Sequence, residues 1–111
     1  MQISLKAKEI ELTPSLRTYA EDKLGALAKM ISKAEQTSEP ELVVEIGRTT
    51  RHHHRGPVYR AEANLRLPGK MLRAEHIDLD LRVAIDRLRD KLRMELDKFK
   101  NKGSRHPQAR K

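Results

Sequence analysis

The sequence contains no cysteine and no tryptophan, and its aromatic residues are one phenylalanine and two tyrosines in 111 residues. Without cysteine there is no disulfide framework, no thiol nucleophile and no thiolate zinc site, which favours an intracellular, cytoplasmic protein. Tyr19 and Tyr59 stand at apolar positions of the hydrophobic pattern, so we expect them in the core. Binding of single-stranded nucleic acid by base stacking is therefore poorly supported.

Long apolar runs and catalytic motifs are missing as well. Residues 1 to 6 lead directly into a charged, alternating stretch, and no segment is long enough to span a bilayer, so we expect neither export nor a membrane partner. There is no glycine-rich phosphate loop, no Gly-x-Ser-x-Gly elbow and no His-Glu-x-x-His motif. The acids alternate with bases and lack the apolar surroundings that tune a carboxylate for proton transfer. We expect a protein that is not an enzyme and needs no cofactor or small-molecule substrate.

Positive charge is what the sequence has in excess. Lysine and arginine number 24 against 16 acidic residues, which gives a formal charge of +8. Such a field attracts polyanions, so nucleic acid is the first partner to consider; an anionic membrane surface comes second and is not the partner we expect. Apolar residues make up 37% of the chain, enough to form the core of one domain and no more.

The first part of the chain predicts a strand followed by a helix. Apolar residues alternate over residues 2 to 12, with a change of phase near Ile10 that indicates a β-bulge. Thr13 and Pro14 supply an N-cap and a proline at the first helical position. Apolar residues then recur at steps of three and four, which predicts an amphipathic helix over roughly residues 14 to 35.

Three further strands and a long helix complete the pattern. Alternation predicts strands from residue 42 to near 50, from 59 to 67 and from about 70 to 76. An apolar stripe predicts a helix from residue 80 to about 102. The order β-α-β-β-β-α predicts an α+β fold: a four-stranded sheet that includes an antiparallel meander, with both helices packed on one face. We expect residues 1 to 102 to form the domain and residues 103 to 111 a flexible basic tail.

The charges of the last helix fall into bands beside its apolar stripe. One band, called here the Arg82 flank, consists of Arg82, Arg89, Arg93 and Lys100. The opposite band, the Lys91 flank, consists of Arg87, Lys91, Lys98 and Lys102. The exposed ridge predicted between them consists of Asp86, Asp90 and Asp97. The two flanks could follow the phosphates of a nucleic acid backbone. Alternatively they are solvated faces, supported by pairs within the helix such as Asp86 with Arg89 and Asp90 with Arg93.

Three consecutive histidines, His52 to His54, lie among arginines in a predicted loop of residues 48 to 57. Adjacent histidines in an extended segment point alternately apart, which disfavours a closed metal site, and we predict none. A solvated loop, a contact with phosphate and adventitious metal binding remain open as interpretations.

Two segments resemble a known family. Residues 11 to 17, with the sequence ELTPSLR, resemble the first strand-to-helix junction of hibernation-promoting factors and of the ribosome-associated inhibitor A group, also called protein Y. Residues 80 to 86, with the sequence DLRVAID, resemble the helix-2 signature of that family, as do residues 90 to 92 and 96 to 98. The signature commonly has an aromatic residue where Arg82 stands and a glutamine where Glu95 stands. The resemblance covers residues 1 to about 103 and is to the short form of the family.

The resemblance implies a bacterial domain similar in layout to double-stranded RNA-binding domains. It would bind ribosomal RNA of the small subunit in the tRNA and mRNA channel, holding ribosomes inactive in stationary phase or stress, and would be a monomer off the ribosome. The family's basic positions map onto Lys23, Lys29, Lys91, Lys98, Lys100 and Lys102. The helical wheel alone adds Arg82, Arg87, Arg89 and Arg93 as RNA-binding candidates. The alternatives are a module that modulates a sigma factor through protein contacts and a general binder of double-stranded RNA.

Overall fold

The computed structural model describes residues 1–31, 39–49 and 58–104, and the side chains of all of these except the last three. The strands are β1 (Gln2–Lys8), β2 (Glu41–Thr49), β3 (Val58–Leu67) and β4 (Lys70–Asp78). The α-helices are α1 (Pro14–Gly25) and α2 (Leu81–Ser104), and a 3₁₀ helix, Ala26–Met30, follows α1 directly. The predicted order β-α-β-β-β-α is confirmed.

The four strands form one sheet in the order β1-β2-β3-β4. β2, β3 and β4 pair antiparallel, which confirms the predicted meander, whereas β1 pairs parallel with β2. A parallel pair needs a crossover connection, and α1 with its 3₁₀ extension lies within that connection. The register pairs Leu42 with Leu65 and Val44 with Ala63, so the apolar residues of neighbouring strands share one face of the sheet.

The core lies between that apolar face and the helices. α2 packs across β3 and β4, while α1 packs against β1 and α2. The stripe of α2 is fully buried at Ala84, Ile85, Leu88, Leu92 and Leu96. Both helices therefore cover one face, and the predicted α+β architecture is confirmed. No helix within the described ranges combines the length and the apolarity needed to cross a membrane.

β1 is shorter than the sequence predicted, and the bulge prediction is wrong. The strand ends at Lys8, and Glu9 adopts a φ of 62°, which turns the chain out of the sheet. Ile10 therefore packs at the edge of the core as a loop residue and not as part of a bulged strand. Gly47 of β2 allows this turn, because a Cβ atom there would lie 2.2 Å from the carbonyl oxygen of Lys8.

The first helix is also shorter than the predicted 14 to 35. Its start is as predicted, since the Thr13 hydroxyl accepts a hydrogen bond from the Leu16 N–H at 3.1 Å. The α-helix ends at Gly25, where a residue without a side chain weakens helical continuity, and the 3₁₀ helix takes over. Leu27 is buried in the 3₁₀ segment, so the apolar spacing was compatible with either helix type.

The last helix runs to Ser104, slightly beyond the predicted end near residue 102. Residues 105–111, which make up most of the predicted basic tail, lie outside the described part of the chain. The same is true of residues 32–38, where the first helix was predicted to end, and of residues 50–57, which include the three histidines.

Candidate nucleic-acid interface

A well-capped N-terminus fixes the rotation of α2, and thereby the direction in which its charges point. Asp80 Oδ1 accepts hydrogen bonds from the backbone N–H groups of Arg82 at 2.9 Å and Val83 at 3.2 Å. Asp78 Oδ1 in turn accepts one from the Asp80 N–H at 3.1 Å. That hydrogen bond, made to the charged form, lowers the pKa of the Asp78 carboxyl from its usual value.

The Lys91 flank runs along β4, the edge strand of the sheet. Lys91 Nζ donates a hydrogen bond to the backbone carbonyl of Glu75 at 2.8 Å, which ties the helix to the strand. Arg87 forms an ion pair with Asp90 at 3.6 Å, and Lys98 forms one with Glu95 at 3.5 Å. The side chains of Arg87 and Lys98 are 61% and 70% exposed, so both remain accessible to a ligand.

The Arg82 flank faces α1. Arg82 Nη2 donates a hydrogen bond to the Ser15 hydroxyl at 3.1 Å, and its guanidinium lies 4.9 Å from the centre of the Tyr19 ring. Arg89 binds Asp90 Oδ1 at 3.0 Å and is mostly covered. Arg93 is exposed and has no ion pair or hydrogen bond within the described residues. Lys100, one residue before the last described side chain, is partly buried.

The prediction that Asp86 belongs to an exposed ridge is wrong. Asp86 is partly buried against α1, and its Oδ1 accepts a hydrogen bond from the Tyr19 hydroxyl at 2.6 Å. Asp90 pairs with Arg87 and Arg89 rather than with Arg93, so neither of the suggested pairs within the helix forms. Of the predicted ridge, Asp97 is exposed as expected. The helical wheel treats α2 alone, and it is the neighbouring helix that decides which carboxylate is covered.

Tyr19 is only partly a core residue, because its polar end takes part in a charged cluster. Lys23 Nζ lies 5.4 Å from the ring centre, so cations from both helices contact one aromatic ring. The hydrogen bond donated to Asp86, together with burial and the carboxylate charge, raises the pKa of the Tyr19 phenol. The sequence contains the residues of this cluster but no local signal that joins them, since Tyr19 and Asp86 are 67 positions apart.

The two lysines proposed for the first helix occupy different elements. Lys23 belongs to α1 and joins the Arg82 flank around Tyr19, whereas Lys29 is exposed on the 3₁₀ helix. The side chain of Lys102, the last member of the Lys91 flank, lies outside the described residues. The structure thus brings Lys23 and the Arg82 flank together and places the Lys91 flank on the opposite side of α2.

On the outer face of the sheet, positive and negative charges are closer to balance than they are on α2. Arg60 forms ion pairs with both Glu62 and Glu75, and the register places Glu45 in the same row as these two acids. Burial opposes the charge on Arg60, but the hydrogen bonds and charges of the two glutamates raise its pKa overall. In contrast α2 has eight basic residues against four acidic ones. The surplus of positive charge lies on the helical side.

No metal site is formed by the part of the chain that the structure covers: no three histidine, aspartate or glutamate side chains among residues 1–31, 39–49 and 58–104 are grouped as a metal ion requires.

Residues 3–104 match the family model described as Sigma 54 modulation protein / S30EA ribosomal protein. The chain belongs to this family. The match covers most of the chain and includes both segments that carried the sequence resemblance, which is thereby confirmed.

The chain resembles hibernation factors from several bacteria. A ribosome hibernation promotion factor from Deinococcus radiodurans is 33% identical over 103 residues, which are 92% of this chain and 51% of the relative. One from Lactococcus lactis is 29% identical over 96% of this chain and 54% of its own length. The chain therefore spans about half the length of these two relatives. A ribosome hibernation promoting factor from Klebsiella oxytoca is 28% identical, with 96% of this chain and 100% of the relative covered.

Two solved structures share the fold of this chain. The N-terminal domain of Thermus thermophilus Protein Y superposes with a TM-score of 0.71 and 32% identity, covering 89% of this chain and 99% of that domain. A ribosomal subunit interface protein from Coxiella burnetii gives a TM-score of 0.70 over 90% of this chain and 98% of its own, at 23% identity, and supports the fold alone.

Proposed function

We propose that this S30EA-family domain binds ribosomal RNA of the small subunit, in the channel used by tRNA and mRNA, and holds ribosomes inactive. The observation that carries the proposal is the basic surplus of α2, which has eight basic residues against four acidic ones. The relatives from Deinococcus, Lactococcus and Klebsiella are named for ribosome hibernation, which supports the same role here.

Binding of this kind needs no catalytic group. Lysine and arginine contacts to phosphate provide affinity without reading sequence, and a rigid domain held in the channel excludes tRNA and mRNA by occupying their space. Membership of a family of ribosome hibernation factors likewise supports a non-enzymatic protein. We propose that the domain acts in the cytoplasm in stationary phase or stress, and that it is a monomer when not bound to a ribosome.

The proposed RNA-binding residues are those of both flanks together with Lys23 and Lys29. We further propose that residues 1 to 102 are the binding unit and that residues 103 to 111 form a flexible tail, whose basic residues add attraction to phosphate.

Sedimentation with ribosomes tests the proposal. The protein should co-sediment with the small subunit or the whole ribosome at low salt, leave it as the salt concentration rises, and suppress cell-free translation at near-stoichiometric amounts. Absence from every ribosomal fraction at low salt would rule the proposal out.

A second candidate function is a protein-binding module that modulates a sigma factor, which the family description itself favours. Binding to such a partner through packed surfaces should survive salt, whereas binding by phosphate neutralisation should not. A general binder of double-stranded RNA would instead be displaced from ribosomes by any long RNA duplex. Competition with a duplex, at a series of salt concentrations, distinguishes the three.

A further inference from the structure

A hydrogen bond of 2.6 Å from the Tyr19 hydroxyl to Asp86 Oδ1 joins the two helices at their basic surface. We infer that this bond is a positioning contact, which aligns Lys23 of α1 with the Arg82 flank of α2 so that they form one RNA-binding surface. The inference rests on the proposed function and adds a role for two residues that are not themselves cationic.

The carboxylate of Asp86 is unexpected at a surface meant for phosphate, because a negative charge there repels the ligand. Asp86 is nevertheless partly buried and held by a short hydrogen bond of the O–H···O⁻ type, which is roughly twice as strong as a neutral one. Asp97, on the same side of α2 and three turns further on, is exposed and has no partner among the described residues. The difference indicates that Asp86 has a structural task at this surface and Asp97 does not.

The ring that Asp86 holds is the one on which cations of both helices lie. The Arg82 guanidinium is 4.9 Å and Lys23 Nζ is 5.4 Å from the Tyr19 ring centre, and Arg82 also binds the Ser15 hydroxyl at 3.1 Å. A ring fixed at its hydroxyl end gives these two cations a fixed separation. Cations that are already in place lose less conformational entropy when a phosphate backbone binds, and so contribute more affinity.

Two effects of Asp86 on binding can be separated by substitution, because its charge and its hydrogen bond have opposite consequences. Asp86→Asn removes the charge but keeps an oxygen that can accept from Tyr19, whereas Asp86→Ala removes both. Asp97→Asn and Asp97→Ala make the same changes in charge and side-chain size at an exposed position. Tyr19→Phe removes the hydrogen bond and keeps the ring, with Tyr59→Phe as its control, since the Tyr59 hydroxyl has no hydrogen bond within the described residues.

The measurement is the affinity of each variant of the full chain for purified small ribosomal subunits at fixed salt, with thermal unfolding followed in parallel. Asp86→Asn and both Asp97 variants should bind at least as tightly as the parent, because each removes a negative charge. Asp86→Ala should bind about fivefold more weakly than Asp86→Asn, and Tyr19→Phe about fivefold more weakly than the parent, which is the size expected when one cationic side chain is no longer held in place before binding. Tyr59→Phe should be unchanged.

Affinity is compared only for variants assayed well below their unfolding midpoints, so that lower stability alone cannot reduce the measured affinity. If Asp86→Ala binds as tightly as Asp86→Asn and Tyr19→Phe as tightly as the parent, the positioning role is wrong while the proposed function stands. If the unmodified protein does not bind small subunits, the proposed function fails, and this inference fails with it. Tyr19→Phe is nearly isosteric and keeps the test decisive even if Asp86→Ala is poorly folded.

Discussion

Replacing Lys91, Lys98 and Lys102 together with glutamine should weaken ribosome binding while leaving the fold intact. Glutamine keeps a similar length and helix propensity, so the change is mainly one of three charges. The pair that Lys98 forms with Glu95 is exposed and contributes about 0.2–0.5 kcal/mol to stability. The hydrogen bond from Lys91 to the Glu75 carbonyl contributes about 1 kcal/mol. The free energy of unfolding should therefore fall by only about 1–2 kcal/mol.

The effect of this triple substitution on binding follows from counterion release. Each phosphate neutralised by a cation contributes roughly 0.7–0.9 to the slope of log affinity against log salt concentration, so three lost contacts should make the slope shallower by about 2 to 3. The assay is co-sedimentation or equilibrium binding to small subunits over a range of salt concentrations, with denaturant unfolding to check stability.

A matched control for the triple substitution is available on the outer face of the sheet. Lys6, Arg66 and Arg73 are exposed there, and replacing them with glutamine removes the same number of positive charges. This control should leave the salt slope almost unchanged, because its residues face away from the helices. If the Lys91-flank variant binds like the parent, that flank is only a solvated face. If both triple variants lose affinity equally, the affinity depends on the net charge of the protein and not on a particular binding surface.

Three further predictions concern single elements of the domain. Leu92→Ala, at a fully buried position of the α2 stripe, should cost about 2–5 kcal/mol in denaturant unfolding, and a cost below about 1 kcal/mol would contradict the packing described. Because the folded-state pKa of Tyr19 is raised, its contribution to stability should be complete below pH of about 10 and lost as the pH rises through that folded-state pKa. In an alkaline absorbance titration the parent should show a phenol that ionises at unusually high pH, and Tyr19→Phe should lack it. If Tyr19→Phe instead loses only a phenol that ionises at the ordinary pH, this prediction is refuted. If His52, His53 and His54 contact phosphate, lowering the pH from about 8 to about 6 should tighten ribosome binding, and a triple alanine variant with the same pH profile would exclude that contact.

The sequence predicted those features that depend on neighbours along the chain. Thr13 and Pro14 marked the start of α1 because capping is decided within one turn, and the burial of Leu92 followed from apolar spacing on α2. The alternation of apolar and polar residues in three consecutive strands predicted the meander, because alternate residues of a strand lie on the same face of the sheet.

Features that depend on distant parts of the chain could not be predicted in the same way. The change of phase near Ile10 does not distinguish a bulge from a strand that ends, and the left-handed conformation of Glu9 opposite Gly47 decided between them. On a helical wheel Asp86 is the member of the ridge nearest to the Arg82 flank. Only the packing of α1, which brings Tyr19 to it, makes Asp86 a partly buried acceptor rather than a solvated acid.

Two exposed arginines of α2, one on each flank, differ in whether they have a partner, and this predicts an unequal contribution to binding. Arg87 is exposed but already paired with Asp90 at 3.6 Å, so contact with a phosphate would replace an existing interaction. Arg93 is exposed without such a partner within the described residues, so the same contact would be a net addition. Arg93→Gln should therefore lower the affinity for small subunits more than Arg87→Gln, although the two variants change the same residue type on the same helix by the same charge.

Stability should follow the opposite order, since only Arg87→Gln removes a helical ion pair, which contributes about 0.2–0.5 kcal/mol. Parallel measurements of binding and unfolding on the two variants thus give opposite rankings if the exposed, unpaired arginine is the one that meets phosphate. Equal losses of affinity would indicate that the pair with Asp90 is too weak in solution to compete with RNA. The ion pairs seen in the structure would then not predict which arginine contributes more to binding.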